Sequence, residues 1–89
     1  MVRPPYQIEF TSVAWRDFSR LTTSVQERLQ VKIDALAQQP RPPGVQKLEG
    51  RENRYRLRAG NYRVIYEIQD EVLLVLIVRI GHRREVYRQ

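Results

Sequence analysis

The stretch YRLRAGNYRVIYE, Tyr55 to Glu67, decides how this chain folds. Apolar and charged residues alternate on both sides of Ala59-Gly60-Asn61, which is the pattern of two strands joined by a tight turn. Tyr55 and Leu57 face one side of the first arm; Arg54, Arg56 and Arg58 face the other. After the turn, Tyr62, Val64, Tyr66 and Ile68 share one face and Arg63, Ile65 and Glu67 the opposite one. Matching the apolar sets puts Arg63 beside Arg56 and Arg58 on the solvent face, in a register that a one-residue slip would scatter. Like charges facing each other across strands are destabilising, so this face calls for an anionic ligand.

The rest of the chain can be placed around the hairpin. Tyr6 to Phe10, following Pro4-Pro5, reads as a short edge strand. Thr11 or Ser12 can cap a helix whose Ala14, Trp15, Phe18 and Leu21 recur at helical spacing, with Trp15 and Phe18 in the core. Ser24 with Glu27 forms a capping box for a second helix, striped by Val25, Leu29, Ile33, Leu36 and Ala37. The run QQPRPPGV ends that helix in a stiff loop, and QKLEGREN is polar and irregular. Val72 to Val78 is apolar without alternation, as in a central strand buried on both faces. The expected fold is α+β in the order β-α-α-β-β-β, a single domain over residues 1–89. A helical hairpin packs on one face of a small, mainly antiparallel sheet. If the last strand neighbours 62–68, its end falls near the turn and brings His82, Arg83 and Tyr87 to the arginines.

Composition narrows the chemistry. The net charge is +6 and fourteen of the sixteen basic residues are arginine, the planar bidentate partner of phosphate. With a pI near 10.3, that points to a nucleic-acid partner. There are no cysteines, which fits a reducing cytoplasm, and neither a signal-peptide core nor an apolar run long enough to span a membrane is expected. A single histidine makes no His-rich metal site, and no acidic cluster suits Mg²⁺. A glycine-rich phosphate loop and a Ser or Cys nucleophile beside a base are missing too, so no cofactor is expected. Taken singly, each candidate has an ordinary role: outward arginines are solvated, Arg63 can bridge Glu67, His82 can be a loop residue and Tyr87 a packing lid. Together they come from three separate stretches without intervening acids. Arginine, histidine and tyrosine without metal suit RNA cleavage by the RNA's own 2′-OH, which needs a base, cations at the phosphorane and an acid for the leaving 5′-oxygen.

The segment KLEG…YRLRAGNYRVIYEIQDEVLLVLIVRIGHRREVYR resembles the RelE/ParE superfamily of bacterial toxin–antitoxin toxins, most closely its RelE branch. GNYRVIYEI and GHRREVYR, in that order, are the most specific pieces, and the resemblance covers nearly the whole chain. It implies a ribosome-dependent mRNA endonuclease of the cytoplasm, neutralised in a hetero-oligomer by a RelB-like antitoxin. By position it implies catalytic roles for Arg63, His82, Arg83 and Tyr87, and RNA binding by the strand pair Arg56 and Arg58; Lys47 and Arg54, basic residues beside that pair, are expected to bind RNA with it. Two features depart from the family pattern. The strand pair is Arg56 and Arg58 where nuclease members carry lysine, and arginine scarcely deprotonates. His82 stands where some members have lysine, and imidazole is the better proton carrier near neutrality, which makes His82 the expected acid and leaves the base unassigned. The alternative within the superfamily is a ParE-like DNA gyrase poison without nuclease activity; such members typically lack the His/Arg…Tyr ending present here.

Overall fold

The structure, a computed structural model, describes residues 5–82. Strand β1 (Gln7–Phe10) leads into helices α1 (Ser12–Ser19) and α2 (Thr23–Ala35). Then follow β2 (Gln46–Lys47), β3 (Arg54–Ala59), β4 (Tyr62–Gln69), a 3₁₀ turn (Asp70–Val72) and β5 (Leu74–His82). The five strands form one sheet in the order β1-β5-β4-β3-β2. β1 runs parallel to β5 and every other pair is antiparallel. This is the expected α+β architecture with one strand added. β2 escaped the sequence reading because an exposed two-residue edge strand needs only backbone pairing, of Gln46 with Arg56 and Lys47 with Tyr55, and no apolar alternation.

Both helices begin at threonine caps. The Thr11 hydroxyl accepts from the Ala14 amide at 3.0 Å and donates to the Val78 carbonyl at 3.1 Å, so one side chain starts α1 and ties it to β5. For α2 the cap is Thr22, which accepts from the Val25 amide at 3.3 Å, and not the Ser24–Glu27 box. Thr22 has the extended backbone a cap requires, and the helix therefore begins at Thr23, two residues earlier than a cap at Ser24 would start it.

Ala14, Phe18, Leu29, Ile33 and Leu36 pack on Leu57, Val64, Tyr66, Ile68, Val75, Ile77 and Ile80. The helices therefore cover one face of the sheet. Trp15 does not join them: it is 57% exposed. Ala14 and Phe18 define the buried line of the short α1, and Trp15 lies about 100° round the helix from Ala14. There it stacks on Phe18 at 5.9 Å and meets Phe10 edge-on at 5.7 Å.

The apolar run at β5 also differs from its reading. Val72 lies in the 3₁₀ turn and is 65% exposed, and Leu73 adopts a left-handed conformation (φ 52°) that ends the turn. From Leu74 on, β5 is interior, between β1 and β4. Val75, Ile77 and Ile80 are buried, whereas Leu74, Leu76 and Val78 are half-buried, because the helices cover a single face. Ile65 pairs with Arg79 but Tyr66 with Ile77, so Val78 is an extra residue in the strand. That bulge lets Ile77 and Ile80, three apart, both reach the core.

Candidate nucleic-acid interface

In the β3–β4 hairpin, Arg54 stands opposite Glu67, Arg56 opposite Ile65 and Arg58 opposite Arg63. Directly opposed residues share a face, so all four arginines lie on the side of the sheet away from the helices. The connecting turn is Gly60-Asn61, with Gly60 at φ +61°, which suits a turn having glycine at its first central position.

The four arginines are not equivalent. Arg58 is exposed at the strand end and takes part in no ion pair among the described residues. Arg56 is half-buried and donates from Nη2 to Oε1 of Gln46 on β2. Arg54 has its Nε 3.5 Å from Oε2 of Glu67, which offsets its charge. Arg63 is only 6% exposed, although the sequence put it on an open surface. It lies on an interior strand with Gly81 opposite on β5, so no facing side chain holds it away from the sheet. Its Nη1 donates to the carbonyls of Tyr62 (3.3 Å) and Gly60 (3.5 Å).

Two expected members fall elsewhere. Lys47 pairs with Tyr55, so it shares the face of Tyr55 and not that of Arg56. His82 pairs with Tyr62, and their rings meet edge-on at 5.9 Å. The end of β5 does come to the hairpin turn, as expected, but the two-residue alternation turns His82 to the Tyr62 side and sets Gly81 against Arg63. Arg83 and Tyr87 lie outside the described residues. Arg79 is committed to structure: its Nε is 2.8 Å from Oδ2 of Asp17, and that oxygen also accepts from the Ile80 amide at 3.0 Å.

One basic residue near this face had no signal in the sequence pattern. Lys32 of α2 and Arg58 of β3 line a common cleft of about 600 Å³ with Gly44, Gly60 and Asn61. Only tertiary packing brings a helix residue to the hairpin turn.

Residues 8–87 match the family model of the ParE toxin of type II toxin–antitoxin system, parDE. The chain belongs to this toxin family. Toxin RelG of Mycobacterium tuberculosis is 30% identical to it over 86 residues, covering 96% of this chain and 99% of that protein. The mRNA interferase toxin RelE of Escherichia coli K12 is 31% identical over 88 residues, covering 94% and 92%. Among solved structures, the RelBE2 toxin–antitoxin complex of M. tuberculosis aligns with TM-score 0.79 at 30% identity, over 93% of this chain and 94% of that one. The intact E. coli RelBE complex aligns with TM-score 0.76 at 29% identity, over 86% and 95%. This is a RelE-like toxin of a toxin–antitoxin system, with two helices on one side of its sheet and an arginine face on the other.

Proposed function

We propose that this toxin is an endoribonuclease that cuts mRNA on the ribosome without a metal ion and so stops translation. The observation that carries the reading is the arginine face, above all Arg58 set directly against Arg63. A phosphate between them relieves their repulsion, and a phosphorane, with more charge, relieves it further. In the reaction the ribose 2′-oxygen attacks the adjacent phosphorus and the bond to the 5′-oxygen breaks. The 2′-OH proton passes to a base, and the leaving 5′-oxygen takes up a proton. Arg63, fixed by the turn carbonyls, and Arg58 stabilise the charge, and Arg56, held by Gln46, grips the strand beside it. Arg83 and Tyr87 join this set on the strength of the family resemblance. His82 supports the site from behind through Tyr62.

The ribosome supplies the bent codon, a positioning effect that can lower the barrier by several kcal/mol, roughly 7 or more in well-oriented cases. The protein is held silent in a hetero-oligomer with an acidic RelB-like antitoxin, as RelE-like neighbours are solved in complex with RelB. The test is cleavage of a ribosome-bound message in EDTA. A 2′,3′-cyclic phosphate on the upstream fragment is expected, and a 2′-deoxy substitution at the cut nucleotide should abolish cleavage while leaving binding. Cutting of the deoxy message would refute 2′-OH attack.

A second reading rests on the name of the matching family model, ParE toxin. It is a gyrase poison that cuts no RNA. Loss of gyrase-dependent supercoiling with intact messages would establish it in place of the first.

A further inference from the structure

From the cleft between α2 and the hairpin turn we infer a second phosphate-binding position, in which Lys32 and Arg58 hold the RNA backbone next to the cleaved phosphate. The inference rests on the nuclease reading and extends the strand's path beyond the arginine face.

Besides the groove lined by Arg28 and Lys32, two further open clefts among the described residues carry basic residues on their walls. One, around the β2–β3 connection, contains Lys47 and Arg51 but also Glu49 and Glu52, so its charges balance. The other contains Lys32 and Arg58 and no acid at all. Neither of these two takes part in an ion pair among the described residues. Lys32 also stands four residues after Arg28 on α2, and the two line a neighbouring groove together. Like charges at this spacing disfavour a helix. α2 therefore brings unbalanced positive charge to the hairpin turn, as β3 and β4 do with Arg58 and Arg63.

The cleft is open for a structural reason. β2 pairs only with Tyr55 and Arg56, so no strand covers the outer edge of β3 from Leu57 to Ala59. Gly44 (φ +92°) and Gly60 (φ +61°) border the opening, and a Cβ built on either meets nothing within 4 Å. The backbone on both sides is thus accessible to a ligand, and Asn61 adds an amide that can donate to a phosphate oxygen. Arg58 belongs to both places: it faces Arg63 across the hairpin and lines the cleft with Lys32. A nucleic-acid backbone bound at Arg63 and Arg58 continues round the β3 edge towards Lys32.

The test measures binding of a 12-nucleotide single-stranded 2′-O-methyl RNA, which cannot be cut, across a KCl series. Each phosphate contact contributes about 0.7 to the slope of log K against log salt for single strands. Lys32→Ala is expected to lower the slope by about that amount, Lys32→Glu by at least as much, and Lys32→Arg to keep it. On ribosome-bound message the loss should fall on KM and not on kcat. Unchanged melting of the variants shows that the fold is intact. An unchanged slope in Lys32→Glu overturns the inference, as does a variant that binds RNA normally but loses an acidic antitoxin, which would make the cleft a protein contact. If the wild-type toxin cuts no message, the nuclease reading fails, and the slope still decides whether the cleft holds phosphate.

Discussion

Arg58 and Arg63 stand directly opposite one another across the β3–β4 hairpin, yet Arg58 is exposed and Arg63 is only 6% exposed. Two cations in register would weaken an ordinary hairpin. Here the inner one is held by carbonyls of its own turn and the outer one reaches into solvent, which separates their roles. Arg63 is a fixed positive charge, and Arg58 is free to follow a bound strand.

Arg63→Ala should therefore reduce message cleavage by about 10²–10³-fold, the usual effect of removing one preorganised charge at a transition state. Burial of Arg63 means that stability changes as well, by about 1–2 kcal/mol as its hydrogen bonds to the turn are lost. Cleavage rates and urea unfolding midpoints measured on the same samples separate the two effects. A variant that melts at working temperature would assign Arg63 to the fold instead.

His82→Gln should leave cleavage within about tenfold of wild type, because a general acid is worth about 10²–10⁴ and His82 lies on the Tyr62 side of the sheet. A single-turnover assay on programmed ribosomes gives the answer. A loss of a hundredfold or more would return His82 to the role of proton donor.

Asp17 joins α1 to β5 through Arg79 and the Ile80 amide. Asp17→Ala removes the bonds from Arg79 and from the Ile80 amide at a largely buried position and should cost about 1–3 kcal/mol. Asp17→Asn keeps an acceptor and should cost less. Chemical unfolding of the two variants checks the order, and equal losses would contradict the geometry.

Tyr66 is fully buried, stacks on Tyr55 and donates to the Pro40 carbonyl at 2.7 Å. Burial raises its pKa well above the ordinary tyrosine value, with the neighbouring Tyr55 adding to the shift. The group is neutral in both states below about pH 10, so its contribution is complete there. Above that pH the unfolded chain ionises first, and stability falls as pH rises towards the folded pKa. Tyr66→Phe should lower stability by about 1 kcal/mol at neutral pH, leaving the Pro40 carbonyl without its donor. It should also flatten the decline in stability between about pH 10 and 11. Unfolding midpoints from pH 8 upward test this, and an unchanged alkaline slope would exclude Tyr66 as its source.

Local pattern alone determined the hairpin, its register, the two helices and the shared face of Arg54, Arg56, Arg58 and Arg63. Alternation and turn chemistry act between near neighbours, and a two-residue period leaves no freedom once one apolar face is buried. What a side chain meets beyond its own element was decided only in three dimensions. The exposure of Trp15 depends on where a short helix rests on the sheet, and the burial of Arg63 on which residue of β5 faces it. The side taken by His82 depends on the pairing of β5 with β4, a partnership between distant segments. The approach of Lys32 to Arg58 depends on the packing of α2 against the sheet, because helical and strand periodicities place residues on faces but do not say which faces meet.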